Sequence, residues 1–91
     1  MNSARGVAYQ LLHAVATEDA YANLLLPKLL DRAKLDSRDT GFAQELAFGT
    51  IRNALFYDAA IEVASGRPIV EIDAEVRVLL ELGAHQLLGM R

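Results

Sequence analysis

Apolar residues recur at intervals of three and four along almost the whole chain, a spacing that places them on one face of successive α-helices. Strand signals are nearly absent, because no useful stretch alternates apolar and polar residues and no Asn-Gly or Asp-Gly hairpin turn occurs. The sequence therefore predicts an all-α bundle of about five helices. The 91 residues make one small domain, in which a hydrophobic content of 53% is enough for a core.

Capping residues and helix breakers divide the chain into segments. The predicted helices run from Ser3 as N-cap to about Thr17, from near Asn23 through Leu30, from Asp36 as N-cap through Asn53, over roughly residues 56–64, and from Asp73 as N-cap through Met90. Pro27 is expected in the first turn of the second helix, because deeper in a helix it removes a backbone hydrogen bond. Gly66 and Pro68 are expected to end the fourth helix.

Two glycines lie in the interior of predicted helices and on their apolar faces. These faces consist of Phe42, Leu46, Gly49 and Asn53 in the third helix, and of Val76, Leu80, Gly83, Leu87 and Met90 in the fifth. Glycine inside a helix costs roughly 0.5–1 kcal/mol relative to alanine. Close helix packing at Gly49 and Gly83 is therefore the favoured interpretation, and the approach of a ligand is the alternative.

The residue types needed for most catalytic and metal sites are missing or isolated. Cysteine is absent, which removes disulfides, thiolate metal sites and thiol nucleophiles. His13 and His85 have no second histidine or cysteine at metal-ligand spacing, so helix-surface or boundary positions are the favoured interpretation. No catalytic residue and no metal ligand is predicted. No apolar run approaches the ~20 residues of a membrane span.

Charge is distributed unevenly along the chain. The net charge is −3; residues 1–54 carry six basic and six acidic side chains, whereas residues 55–91 carry three and six. A protein that binds nucleic acid through charge alone is usually basic, so any RNA role must depend on a local patch or on additional sequence. A loose basic cluster, for which a solvated face is the favoured interpretation, consists of Lys28, Arg32, Lys34 and Arg38.

Two stretches resemble motifs of a known family. "RDTGFAQELAFGTIR" is similar to its pattern Asp-x-x-Phe-x-x-Glu-Leu-x-x-Gly-Thr-x-Arg, and "LLELGAHQLL" to its Leu-Gly-x-x-Gln-Leu-Leu. Over essentially its whole length, residues 1–91, the chain resembles the NusB-like helical domain. It most resembles the version at the N-terminus of the RsmB family, methyltransferases that make 5-methylcytosine in small-subunit ribosomal RNA. Free-standing NusB antitermination factors usually have Glu-Leu where this chain has Gln86-Leu87.

The resemblance implies an RNA-binding accessory domain that acts in the cytoplasm on ribosomal RNA. Arg5 and Arg52 are the candidate RNA contacts, although Arg52 is alternatively a structural partner of Glu45. In this family S-adenosylmethionine and the catalytic cysteine belong to a C-terminal methyltransferase domain, so the chain itself is expected to be non-catalytic. Two alternatives stay open: an antitermination factor that binds RNA with a ribosomal protein, and a helical protein-interaction module without RNA contact.

The fifth helix is apolar on most of its sides, and such helices need neighbours on most sides. Domains of this family usually continue with further helices, so the chain is expected to be a part of a longer protein. The surface left uncovered predicts a homodimer of the 91-residue chain. The expected contact residues are Leu79, Leu82, Leu87 or Leu88.

Overall fold

The computed structural model describes residues 3–90, and within them it contains helices and turns but no strand. The elements are α1 (Ala4–Glu18), α2 (Ala22–Ala33), α3 (Ser37–Arg52), α4 (Ala54–Ser65), a 3₁₀ turn (Ile69–Glu71), α5 (Ala74–Ala84) and a π-helical turn (His85–Gly89). The prediction of an all-α bundle with about five helices is confirmed. None of the helices in this part of the chain is long and apolar enough to cross a membrane.

The predicted caps of α1 and α3 are present. Ser3 Oγ accepts a hydrogen bond from the amide of Gly6 at 2.9 Å, and Asp36 Oδ1 accepts one from the amide of Asp39 at 2.7 Å. Gly66 ends α4 in the left-handed region, with φ of 71°, where glycine has no steric penalty. Asp73 precedes α5 as predicted, but its side chain makes no capping hydrogen bond.

Pro27 is the sixth residue of α2, so its predicted place in the first turn was wrong. The helix begins earlier because the carbonyl of Tyr21 already accepts the amides of Leu24 and Leu25. Pro27 has no N–H to offer the carbonyl of Asn23, four residues before it. Both residues are exposed, so this carbonyl lies on the solvent side of the helix.

Helix α1 lies at the centre of the bundle and contacts α2, α3 and α5, while α4 packs on α5 and on the end of α3. The residues of the continuous apolar core are Ala4, Val7, Ala8, Leu11, Leu12, Leu26, Leu29, Ala33, Ala43, Leu46, Ala47, Val78 and Leu82. The inward face of α1 supplies five of these side chains, because its apolar residues follow the helical period. This arrangement leaves α5 in contact with the core along one side only.

The predicted buried face of α5 was wrong. Val78 and Leu82 point into the core, whereas Val76, Leu80 and Leu87 are exposed at 48%, 41% and 78%. The helix has leucines on nearly every side, so apolar spacing alone does not select the face that contacts α1. Because Leu82 is only 6% exposed within one chain, it is not available for the predicted dimer contact. The other three predicted contact residues, Leu79, Leu87 and Leu88, are exposed.

Gly83 makes no close contact with another helix in this part of the chain. A Cβ added there would meet no atom within 4 Å. The close packing predicted at Gly83 from the sequence was therefore wrong for contacts within one copy of residues 3–90.

Candidate nucleic-acid interface

Gly49 lies directly against the imidazole of His85. A Cβ built on Gly49 would overlap Nε2 and Cε1 of that ring, so the close packing there involves a histidine side chain rather than a helix backbone. His85 is 1% exposed, and the predicted surface or boundary position for it was wrong. The glycine in the middle of α3 therefore has a packing reason, which is the space needed by an aromatic ring from the end of α5.

The π-helical turn places a second glycine against the same ring. The amide of Met90 donates to the carbonyl of His85 at 3.0 Å, which closes the wider turn. A Cβ on Gly89 would meet the hydroxyl of Tyr57 and would lie 2.6 Å from Nδ1 of His85. The imidazole is thus enclosed between Gly49 of α3 and Gly89 of the π-helical turn.

Hydrogen bonds fix the ring on both nitrogens. Nδ1 of His85 is 2.6 Å from the hydroxyl of Tyr57, and Nε2 is 3.0 Å from Oε2 of Glu45. With the imidazole proton on Nε2, Tyr57 donates to Nδ1 and Nε2 donates to the carboxylate of Glu45. Every polar atom of the buried ring then has a partner, which satisfies the requirement for burying a polar side chain.

Arg52 continues this network to the surface. Its Nη2 lies 3.6 Å from Oε2 of Glu45, which is the structural pairing considered as the alternative to RNA contact. The side chains of Arg52 and Glu45 are 62% and 44% exposed, and exposed ion pairs contribute only about 0–1 kcal/mol. The guanidinium of Arg52 therefore lies beside Glu45 and stays largely exposed.

Arg5 is held at the opposite end of the same side of α3. Its Nε donates to Oε1 of Gln86 at 3.0 Å, and its guanidinium carbon lies 5.2 Å from the centroid of the Phe42 ring. Gln86 in turn donates through Nε2 to the carbonyl of Leu82 at 3.2 Å. Arg5 is exposed, and one of its five N–H donors is used in these contacts.

The contacts bring both candidate arginines to one side of the bundle, here called the arginine face and defined by Arg5, Phe42, Glu45, Arg52 and Gln86. Phe42, Glu45 and Arg52 share one face of α3, because successive members are three and seven residues apart. Ten residues separate Phe42 from Arg52, which corresponds to about 15 Å along the helix axis. The arginine face thus presents two guanidinium groups on a rigid support, with one carboxylate between them.

The basic cluster of the sequence analysis lies elsewhere, on α2, its C-terminal cap and the first turn of α3. Its members are all exposed: Lys28, Arg32, Lys34 and Arg38. Nothing joins them to the arginine face by a hydrogen bond or ion pair among residues 3–90. In the same part of the chain, no group of three or more His, Asp or Glu side chains could hold a metal ion.

A second polar cluster, not predicted from the sequence, lies where α4 meets α5. Asp58, Arg77 and Glu81 line a cavity of about 270 Å³. Burial, then the hydrogen bond and the charge of Asp58, raise the pKa of Glu81 to about 8, and Arg77 opposes this shift. Arg77 and Glu81 are four residues apart on one helix, a spacing that is ordinarily typical of an exposed ion pair.

The chain matches the NusB family over residues 2–91. It belongs to the NusB family. This NusB-family chain is 44% identical over 91 residues to a provisionally named methyltransferase of Mycobacterium tuberculosis; the match covers all of this chain and 20% of that protein.

Two further relatives are named ribosomal RNA small subunit methyltransferase B. The NusB-family chain is 39% identical to the Pseudomonas putida protein and 38% identical to the Pseudomonas syringae pv. tomato protein. Each match spans 87 residues, or 96% of this chain, and covers 20% and 19% of those proteins respectively. The chain therefore spans about one fifth of the length of the curated relatives it matches, and the resemblance seen in the sequence is confirmed. No solved structure matches the chain significantly.

Proposed function

We propose that this NusB-family chain is an RNA-binding accessory domain of an S-adenosylmethionine-dependent methyltransferase that modifies cytosine C5 in 16S ribosomal RNA. The observation that carries the proposal is the match of 96% of the chain to proteins named ribosomal RNA small subunit methyltransferase B. The names of these relatives favour this role over that of an antitermination factor. On this proposal the domain acts in the cytoplasm, where ribosomal RNA is found.

The chemistry of such an enzyme belongs to another part of the protein. Attack on the cytosine ring by a covalent route needs a nucleophile such as a thiolate, and the 91 residues contain no cysteine. Residues 3–90 also do not fit S-adenosylmethionine, because they offer no strand followed by a glycine-rich loop at a helix N-terminus. The partners of the chain on this proposal are ribosomal RNA and a methyltransferase domain of the same protein.

The arginine face is the surface we assign to RNA. Arg5 and Arg52 lie at its two ends, and a phosphate that replaces Glu45 as the partner of Arg52 would displace only a weak, exposed ion pair. Two phosphate contacts with single-stranded RNA give a log–log salt slope of about −1.4, since each contributes about −0.7. Binding by this chain alone is therefore expected to be weak, in line with its net charge of −3.

The test is a titration of fluorescently labelled 16S rRNA fragments that together tile the molecule, read by anisotropy at several salt concentrations. Replacing Arg5 and Arg52 together with Gln should bring the log–log salt slope closer to zero by about 1.4. Arg67→Gln is the matched control, because Arg67 is also exposed but lies beyond the end of α4. An unchanged slope in the double variant, or an equal loss in the control, would remove the arginine face from the RNA site.

A further inference from the structure

The cavity where α4 meets α5 contains polar atoms that no neighbour satisfies. Nε of Arg77 and Oδ1 of Asp58 are buried, and neither has a hydrogen-bond partner among the residues that the structure describes. Folded proteins leave few buried polar groups unpaired, because such a group loses its hydration without compensation. One of the two atoms is a donor and the other is an acceptor, so a group that offers both an acceptor and a donor would satisfy them.

Glu81 does not complete this set. Burial and then Asp58 raise the pKa of Glu81, which favours its protonated form and so supplies one donor. A carboxylate has about four acceptor positions, so Asp58 can still accept from a further donor. Nε of Arg77 needs an acceptor, and no oxygen among residues 3–90 accepts from it.

The rest of the lining is mainly apolar and comes from α1, α3 and the start of α4: Leu12, Val15, Ala16, Thr50, Ile51 and Ala54. Small-molecule sites have volumes of about 300–1,000 Å³, and this cavity, with about 270 Å³, lies just below that range. Its size and its apolar walls therefore suit a single planar ring, with the charged groups of α4 and α5 at the polar edge of that ring.

The charges of the cavity decide between classes of ligand. The carboxylate of Asp58 opposes a phosphate or another anion, and the guanidinium of Arg77 opposes a metal ion or an ammonium group. A neutral ring that carries an N–H donor beside an acceptor avoids both conflicts. Every RNA base has such a pair of groups on its pairing edge.

The cavity adjoins the surface that we assign to RNA. Ile51 and Ala54 line the cavity, and Arg52 lies between them in sequence, at the end of α3. One residue along a helix corresponds to a rotation of about 100°, so Arg52 projects from the side of α3 next to the one that Ile51 gives to the cavity. The arginine face and the cavity therefore meet at the junction of α3 and α4.

We propose that this cavity is a pocket for one unstacked base of the RNA, in which Asp58 accepts from an N–H of the base and Arg77 donates to a ring nitrogen or carbonyl oxygen beside it. The assignment rests on the proposed RNA-binding function and adds a base contact to the phosphate contacts of the arginine face. Phosphate contacts position a nucleic acid without reading its sequence, whereas unstacked bases are read through their edges. The chain should therefore discriminate between bases.

The test is fluorescence anisotropy with single-stranded RNAs of about eight nucleotides. The strands are oligo-A, oligo-C, oligo-U, an alternating G-U strand and an abasic strand that keeps only ribose and phosphate. We expect at least one base-containing strand to bind about tenfold more tightly than the abasic strand, because hydrogen bonds to charged groups contribute at least this factor. Arg77→Met and Asp58→Ala should each reduce the preference to about threefold or less.

Ala16→Leu tests the pocket without removing a charge. Ala16 lines the cavity but is exposed, and leucine has nearly the helix propensity of alanine, so circular dichroism should show a folded variant. The added side chain should fill the pocket and abolish the preference for bases. Ala59→Leu is the matched control, because Ala59 is exposed on α4 and does not line the cavity, and it should keep the preference.

The base pocket and the proposed function can fail separately. The log–log salt slope reports phosphate contacts, so it should be the same in the parent, in Arg77→Met and in Ala16→Leu. Equal affinity for all strands, with a salt slope that still depends on Arg5 and Arg52, would overturn the pocket and leave the arginine face. A base preference that survives in Ala16→Leu would overturn the pocket too. If no strand binds, both proposals are wrong.

Discussion

Gly49→Ala adds a single carbon at the most crowded point of α3. That carbon would overlap the imidazole of His85. The ring cannot easily move aside, because hydrogen bonds to Tyr57 and Glu45 hold it and Gly89 packs against its other side. The substitution therefore forces His85 to give up its position or moves the end of α5 away from α3.

The expected cost follows from these contacts. Overpacking of a filled interior costs typically about 1–3 kcal/mol, and each hydrogen bond lost from the ring adds about 0.5–1.5 kcal/mol. Alanine returns about 0.5–1 kcal/mol through its higher helix propensity. We expect the free energy of unfolding to fall by about 1–3 kcal/mol, and each kcal/mol lowers Tm by roughly 4–8 °C in a domain of this size.

Gly41→Ala is the control, in the same helix. Gly41 is exposed, and a Cβ there would meet no atom within 4 Å, so we expect it to stabilise the domain by about 0.5–1 kcal/mol. Guanidinium unfolding followed by circular dichroism gives both free energies. In a His85→Ala background Gly49→Ala should cost much less, because only the flexible carboxylate end of Glu45 is then close to the added carbon. If the two alanine variants unfold at the same denaturant concentration, the contact with His85 does not have the rigidity assumed.

Two further predictions concern pH and catalysis. Because the folded-state pKa of Glu81 is raised to about 8, the unfolded chain loses this proton first as pH rises from about 4.5, and stability declines up to about pH 8. Glu81→Gln should remove this decline. Relative to the parent, it should stabilise the domain more at pH 8 than at pH 4.5, by about 1–2 kcal/mol after solvent screening of a half-buried group. Urea titrations of both proteins at the two pH values measure this difference, and an equal effect at both would contradict it. The purified chain should transfer no methyl group from labelled S-adenosylmethionine to 16S rRNA, and transfer above background would show that it contains the reaction site.

Local signals in the sequence were sufficient for the N-caps of α1 and α3. Ser3 and Asp36 act on amides only three residues away, so their capping roles follow from neighbours in the chain. The role of Gly49 could be predicted only in part. The energetic cost of a glycine inside a helix indicated close packing, but the side chain that fills the space comes from a distant segment. That side chain, His85, was predicted at a surface or boundary position because no residue near it in sequence indicates that Tyr57 and Glu45 are its partners.

In the α5 region, apolar spacing does not identify the buried face of the helix. Leucines surround this helix, so several faces satisfy the apolar spacing, and the choice of Val78 and Leu82 depends on how α1 packs. The π-helical turn then shifts the register after Ala84. Arg5 and Arg52 are both exposed, and their contact with RNA stays a prediction.

The carboxyl pair of Asp58 and Glu81 also affects the proton balance of the whole molecule. Because burial and Asp58 raise the pKa of Glu81 to about 8, the folded chain holds this proton to a higher pH than the unfolded chain does. Any share of this proton that is kept at pH 7 makes the folded domain less negative than the formal −3, which slightly reduces its repulsion from a polyanion. Unfolding at pH 7 therefore releases protons into the solvent. The enthalpy recorded by calorimetry will consequently change with the ionisation heat of the buffer, and phosphate and Tris will give different values for the same transition.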